Sequence, residues 1–300
     1  MATRETGSVP ELPEVETVRR QLAPHVEGRA IAAVTIDDPR WCAPDAPAAT
    51  AAALRGRTVR ALERRGKHLI WRTDAGTLLL HLRMTGVLLV DPEPDAPYRR
   101  VEIAFDDGPT VWFCDPRRFG TGRWFADPGA ADAHLDARLG PEPLSDAFTG
   151  DALRAALRGR RAPVKSLLLD QRVVAGVGNI YADEALFLAR VHPLRAGGAV
   201  TPAACRALVD AIRTVLLAGI DAGGATIDDF RHVDGVTGGF QDDFLVHRRA
   251  GEPCPTCATP VARRVVGQRA TYSCDRCQTP PRGAPAPLEG GRRAGPILRG

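Results

Sequence analysis
Four cysteines, Cys254, Cys257, Cys274 and Cys277, stand in the spacing C-x2-C-x16-C-x2-C and restrict what the C-terminal end can become. Each close pair fits a tight turn, and together the four thiolates can close a tetrahedron around one structural Zn2+. A shell of four sulfurs leaves no open position for catalysis, so the expected metal is a staple. Disulfides are the weaker alternative in a reducing compartment. Cys42, Cys114 and Cys205 are scattered and are expected to be small buried apolar residues.

The chain has 300 residues, enough for two domains with real cores. Its 44% hydrophobic and 25% charged content fit a globular protein. No apolar run approaches the length of a bilayer span, and the N-terminus lacks the apolar stretch of a secretory signal. The expectation is a cytoplasmic protein without a membrane partner. Net charge is only +4, but ten Arg face three acids from Leu245 to Gly300. That bias suits a polyanion such as nucleic acid, with a solvated tail as the alternative. Of 40 Lys plus Arg only Lys67 and Lys165 are lysine, and Met84 is the sole methionine after Met1. Survivors of so strong a compositional bias mark positions where a compact ammonium or a thioether is needed.

Hydrophobic period divides the chain. From Pro13, Val15, Val18, Leu22 and Val26 form one helical face that Gly28 terminates. Residues 30–125 read mainly as strands: AIAAVTI, LIWRT, TLLLHL, VLLV, VEIAF and TVWFC, with Asp106–Gly108 in a hairpin connection. This predicts an antiparallel sandwich or barrel. GPEPLSD, at 140–146, reads as the start of an interdomain link, and residues 151–220 turn helical. There Thr201 caps a helix whose apolar face is Cys205, Leu208, Val209, Ile212, Val215 and Leu216. GVGNIYADEALFLARV is a glycine turn leading into a helix, able either to cradle a phosphate or simply to pack. GVTGG, at 235–239, suggests a mobile loop, and residues 279–300 are expected to be disordered.

PELPEVETVRR, HLRMTG, DPRRFG, GPEPLSD, GVGNIYADE and GEPC with the cysteine ribbon follow one another in a single order. From Pro10 to about Gln278 the chain resembles the bacterial formamidopyrimidine-DNA glycosylase family. The resemblance implies an α+β fold: an antiparallel β-sandwich at 10–140, a helix-two-turn-helix DNA-binding domain with a lesion-capping loop at 141–245, and a zinc β-ribbon at 246–278. Residues 1–9 would be a non-native extension and 279–300 a basic tail. It further implies a monomer that grips damaged double-stranded DNA in a cleft at the nucleoid. Its activity would excise oxidised purines and cut the strand by β,δ-elimination.

The resemblance also assigns roles. A terminal proline is the family nucleophile, because its secondary amine can attack the sugar and hold an iminium, which an internal amide nitrogen cannot do. Pro10 is the counterpart here, preceded by nine residues. We expect Val9 to be a GUG initiator read as valine, with MATRETGS upstream of the true start. Proteolytic trimming, or a lesion-binding protein without catalysis, are the alternatives. Glu11 takes the proton-transfer role, Lys67 assists β-elimination, and Arg269 serves δ-elimination. Met84, Arg117 and Phe119 match the trio that fills the gap left by an everted base. His81, Arg160, Lys165 and Asn179 match DNA-contacting positions, and Tyr98 stands where the family often has histidine. An endonuclease VIII type, acting on oxidised pyrimidines, is the nearest enzymatic rival.

Overall fold
A computed structural model describes residues 9–226 and 231–288. These residues fall into two compact units, one within Met1–Glu142 and Leu216–Asp242, the other within Pro143–Val215 and Asp243–Gly300. Most of the expected extension, at 1–8, and the last part of the tail, at 289–300, lie outside the described residues. No helix among the described residues is long and apolar enough to cross a membrane.

The first unit opens with α1, Leu12–Val26, one residue earlier than the sequence pattern suggests. Its face of Val15, Val18, Leu22 and Val26 is fully buried, and Gly28 ends it at φ +81°. The chain continues through β1 (Ile31–Ile36), α2 (Pro47–Leu54), β2 (Val59–Arg65), β3 (His68–Thr73), β4 (Thr77–His81), β5 (Val87–Val90), β6 (Arg99–Phe105), β7 (Thr110–Cys114), β8 (Thr121–Phe125) and α3 (Pro128–Asp136). Two antiparallel four-stranded sheets result, in the orders β1-β6-β7-β5 and β2-β3-β4-β8.

One apolar core holds the sheets together. Ile31, Val101, Ile103 and Phe113 come from the first sheet, Leu62, Leu69, Trp71 and Leu80 from the second, and α1 adds its valines. Each such side chain contributes about 1.5–3 kcal/mol on burial. β3 and β4 are apolar on both faces because α3 covers the outside, packing Ala131 and Leu135 on Ile70 and Leu79. Two strands, β2 and β8, were not among the expected segments. Both are edges of the second sheet, and VRALERR and TGRWF bury few of their residues. Charge on an edge strand masks its period.

The second unit contains α4 (Gly150–Leu157), α5 (Val164–Leu168), α6 (Asn179–Leu188) and most of α7 (Pro202–Asp221), then the hairpin β9 (Ala262–Val266) and β10 (Arg269–Ser273). Thr201 caps α7 as expected, its Oγ1 accepting the Ala204 N–H at 3.2 Å. The β9–β10 turn has two residues, Gly267 and Gln268, at φ +55° and +63°, the sense that matches strand twist. Residues 279–288 depart from the expected disordered tail. They form no helix or strand, yet Leu288 N–H donates to the Arg263 carbonyl (2.8 Å) and Arg264 Nε to the Pro285 carbonyl (3.0 Å). Prolines cannot build a ladder, but their carbonyls accept, and buried Arg264 is fixed for the purpose by Asp275 at 2.8 and 2.6 Å.

Gly122 in β8 faces Trp41, whose ring carbon Cζ2 would stand 2.1 Å from an added Cβ. Gly122→Ala is therefore expected to destabilise the protein by about 1–3 kcal/mol through overpacking, read from the midpoint of urea unfolding.

Candidate active site
The start of α1 builds the first cluster. Pro10 is buried, and Glu11, 2% exposed, is the N-cap. Glu11 N–H donates to Glu14 Oε2 at 2.8 Å, while Glu14 Oε1 accepts the Ala225 N–H at 2.7 Å. One buried carboxylate thus fastens the Pro10–Glu11 segment and the backbone at Ala225, which leads toward the segment at 231–239. That segment is tied further: Gly238 N–H donates to Thr226 Oγ1 (2.7 Å), Gly239 N–H to the Ala222 carbonyl (2.9 Å) and Val90 N–H to the Val233 carbonyl (3.0 Å). The stretch at 235–239 is anchored at its end, through Gly238 and Gly239.

Lys67 lies half-buried in the turn between β2 and β3. Glu142 secures this turn, accepting from Arg64 Nη1 at 2.9 Å and from the Gly66 N–H. At the end of β4, His81 pairs with His68 across the register, their rings in edge contact at 4.6 Å. Burial, then the neighbouring His68, Arg83 and Lys67 charges, hold His81 well below the ordinary imidazole value. His68 falls to about 4, mainly through burial. His81 Nδ1 accepts the Arg83 N–H at 3.0 Å, which leaves Nε2–H as a neutral donor.

Met84 is half-buried in the turn after β4, while Arg117 and Phe119 are exposed between β7 and β8. The Arg117 guanidinium lies 5.1 Å from the centre of the Phe119 ring. Tyr98 is 56% exposed and holds φ +65°, a strained value for an aromatic residue.

In the second unit, Arg160 is exposed with Nη1 3.7 Å from Asp170 Oδ2. Asn179 is the first residue of α6, and its Oδ1 is buried with no hydrogen-bond partner among the described residues. Arg269 opens β10 and is exposed. Lys165 differs from expectation. Sequence placed it on DNA, but it is 0% exposed, with Nζ 2.7 Å from Asp183 Oδ1 and donating to the Ala270 carbonyl and Thr271 Oγ1, both at 2.9 Å. An ammonium so enclosed cannot reach a phosphate. It ties α5 and α6 to the strand that carries Arg269. Asp183 in turn receives His247 Nδ1 at 2.9 Å.

The sulfurs of Cys254, Cys257, Cys274 and Cys277 all lie within 4.8 Å of one another. Sγ–Sγ distances of 3.9 Å (Cys254–Cys277) and 3.4 Å (Cys257–Cys274) are far beyond a disulfide bond and close to the tetrahedral edge of about 3.8 Å that Zn–S bonds of ~2.3 Å require. The donor set fits one structural zinc, which would hold the ribbon and supply no reactive position.

Three family models match in order: the formamidopyrimidine-DNA glycosylase N-terminal domain over residues 9–122, the H2TH domain over 139–231, and the zinc finger found in FPG and IleRS over 251–280. A formamidopyrimidine-DNA glycosylase of Alkalilimnicola ehrlichii is 46% identical over 279 residues, covering 90% of this chain and 100% of that protein. One from Symbiobacterium thermophilum is 46% identical over 296 residues, covering 97% and 95%. The crystal structure of MutM (Fpg) from Thermus thermophilus matches with TM-score 0.80 at 42% identity, over 90% of this chain and 98% of that one. Lactococcus lactis Fpg in complex with abasic-site DNA matches with TM-score 0.83 at 33% identity, over 90% and 100%.

The chain belongs to the formamidopyrimidine-DNA glycosylase family. It is a base-excision-repair DNA glycosylase, of a family that typically also cleaves abasic strands and prefers oxidised purines. Sequence reasoning passed over the acids that hold this glycosylase's loops. Glu14 sits in the first turn of its helix, where an acid suits the dipole, and Glu142 read as part of a link; Asp38, which grips Arg118 through two oxygens at 2.6 and 2.8 Å, gave no signal at all.

Removing Lys165 would leave Asp183 buried without its ammonium. Lys165→Ala is expected to cost the glycosylase about 3–5 kcal/mol in urea unfolding of the zinc-loaded protein. The slope of log Kd for DNA against log salt should stay unchanged, since no phosphate contact is lost.

Proposed function
We propose that Pro10, as a terminal secondary amine, attacks C1′ of an oxidised purine nucleoside turned out of duplex DNA. The C1′–N bond breaks and the base departs with the proton the amine gives up; the C1′–O4′ bond then opens, O4′ taking a proton from Glu11, and the enzyme holds the opened sugar as an iminium. Glu11 moves the proton, Lys67 assists loss of the 3′ phosphate, and Arg269 serves the second elimination at the 5′ side. An α-amino group titrates near ~8, so a neutral, nucleophilic fraction exists at cellular pH. The observation that carries this reading is the seating of Pro10 beside buried Glu11 at the start of α1, with Glu14 fixing the backbone between them.

The remaining assignments follow from the same reading. Met84, Arg117 and Phe119 fill the vacated stack, while His81, Tyr98, Arg160 and Asn179 hold the backbone. Asn179 opens a ten-residue helix, whose N-terminal N–H groups and dipole favour an anion such as a phosphate. The protein acts as a monomer on damaged double-stranded DNA at the cytoplasmic nucleoid. The solved Lactococcus lactis relatives include complexes with Fapy-dG DNA and with DNA containing an oxidised pyrimidine. Purine lesions are expected to be released faster than pyrimidine lesions when both are presented in one duplex panel.

Borohydride reduction on abasic-site duplex tests the nucleophile. A polypeptide beginning at Pro10 should give a covalent adduct, and the 300-residue form none. Equal adduct from both would assign the attack to a lysine amine or to processing.

A further inference from the structure
Met84 and the Arg117–Phe119 pair lie on different turns, yet both turns end on one carboxylate. Asp115, 0% exposed, directly follows β7. Its Oδ1 accepts the Arg117 N–H at 3.1 Å and the hydroxyl of Thr85, the residue after Met84. Its Oδ2 accepts the Phe119 N–H at 2.8 Å and the Gly120 N–H at 2.7 Å. Four donors thus converge on a group with no water access. We propose that Asp115 is a positioning residue that sets Met84, Arg117 and Phe119 at one spacing, so that the three enter an opened base stack as a single unit. The proposal rests on reading those three side chains as the void fillers.

The surroundings allow little slack. The Asp115 backbone is pinned on both sides: its N–H donates to the Tyr98 carbonyl at 3.0 Å, and its carbonyl accepts Arg100 Nε at 2.8 Å. Gly120 packs so closely on Phe113 that an added Cβ would lie 2.2 Å from the ring. Arg83 and Arg118, one in each turn, hold φ +56° and +60°, and Asp38 clamps the Arg118 side chain. Left-handed arginines persist where the surroundings over-determine the backbone. Thr85, 5% exposed, is the one side-chain donor in the set and the only one of the four from the Met84 turn. Without its hydroxyl, Asp115 would still hold the Arg117–Phe119 turn but would lose its bond to the other. An aspartate suits the position because both of its oxygens accept. An asparagine would turn an amide N–H2 toward two of the four donors.

The test separates positioning from general stability. Thr85→Val removes the hydroxyl at nearly constant volume, and Thr85→Ser keeps it. Excision kcat/KM on lesion duplex is expected to fall about tenfold or more in Thr85→Val, with Thr85→Ser within about twofold of the parent. A 2-aminopurine beside the lesion should show a smaller fluorescence rise in Thr85→Val, reporting poorer entry into the stack. In a Met84→Ala background the same change should add less than about twofold, because the side chain it positions is gone. Cleavage of an abasic single strand, which has no stack to refill, reports that the protein is folded and chemically competent. Asp115→Asn should reproduce the pattern of Thr85→Val. If Met84→Ala excises normally, the void-filling reading fails. If Met84→Ala is impaired but Thr85→Val is not, or the two effects multiply independently, Asp115 does not couple the turns.

Discussion
A backbone N–H taken out of water must find an acceptor, and in the loops that carry the candidate site that acceptor is repeatedly a shielded carboxylate. Glu14 takes the N–H groups of Glu11 and Ala225. Asp115 takes those of Arg117, Phe119 and Gly120. Glu184 takes Leu245, Val246 and His247 at 2.7–3.0 Å, ahead of the first zinc-binding cysteine. Loops cannot satisfy their amides through a ladder, so a charge placed beneath them serves instead, at about 1.5–3 kcal/mol for each charged bond. The cost is desolvation. Burial pushes the Glu184 carboxyl up, and the three N–H bonds and His247 offset only part of that rise. The acids are tolerated because the loops above them have no other way to stay ordered.

This arrangement explains what could be read from the sequence and what could not. Strands buried on both faces announced themselves: LIWRT and TLLLHL are continuous apolar runs, and the structure places them at the centre of the second sheet. The helix faces of α1 and α7 were equally legible, because a period of 3.6 survives any loop. β2 and β8 were hidden, since an edge strand with one half-buried face carries charges wherever it meets solvent. The four cysteines were decisive because their chemistry needs a fixed spacing.

Charged residues were the least legible. Arg and Asp look alike in a string whether they are solvated, paired or buried, and their environment is a product of the fold. Lys165 shows the error this invites. Its rarity pointed correctly to a special position, but rarity does not distinguish a phosphate contact from a buried ion pair. Only the 0% exposure of both Lys165 and its partner carboxylate decides it. Glu142 was half legible: Gly and Pro around it marked the start of an interdomain link, and the two units divide between Glu142 and Pro143, but nothing in the string showed that its carboxylate locks the turn that carries Lys67.

The zinc ribbon illustrates how such an anchor divides labour with a metal. Four thiolates can fix only the cysteine-bearing turns, which leaves the far end of the hairpin, where Arg269 sits, to other forces. Lys165 grips β10 at Ala270 and Thr271, the two residues after Arg269. On the β9 side, Arg264 is clamped by Asp275, and the 279–288 strap passes over it. The two-residue turn between the strands then has little freedom, since both of its φ angles are already positive and matched to the twist. Under the proposed role of Arg269 at a phosphate, its guanidinium would lose less entropy on binding because its strand is held from both ends. The metal closes one end of the ribbon, and a buried ammonium, unrelated in chemistry and distant in sequence, steadies the other.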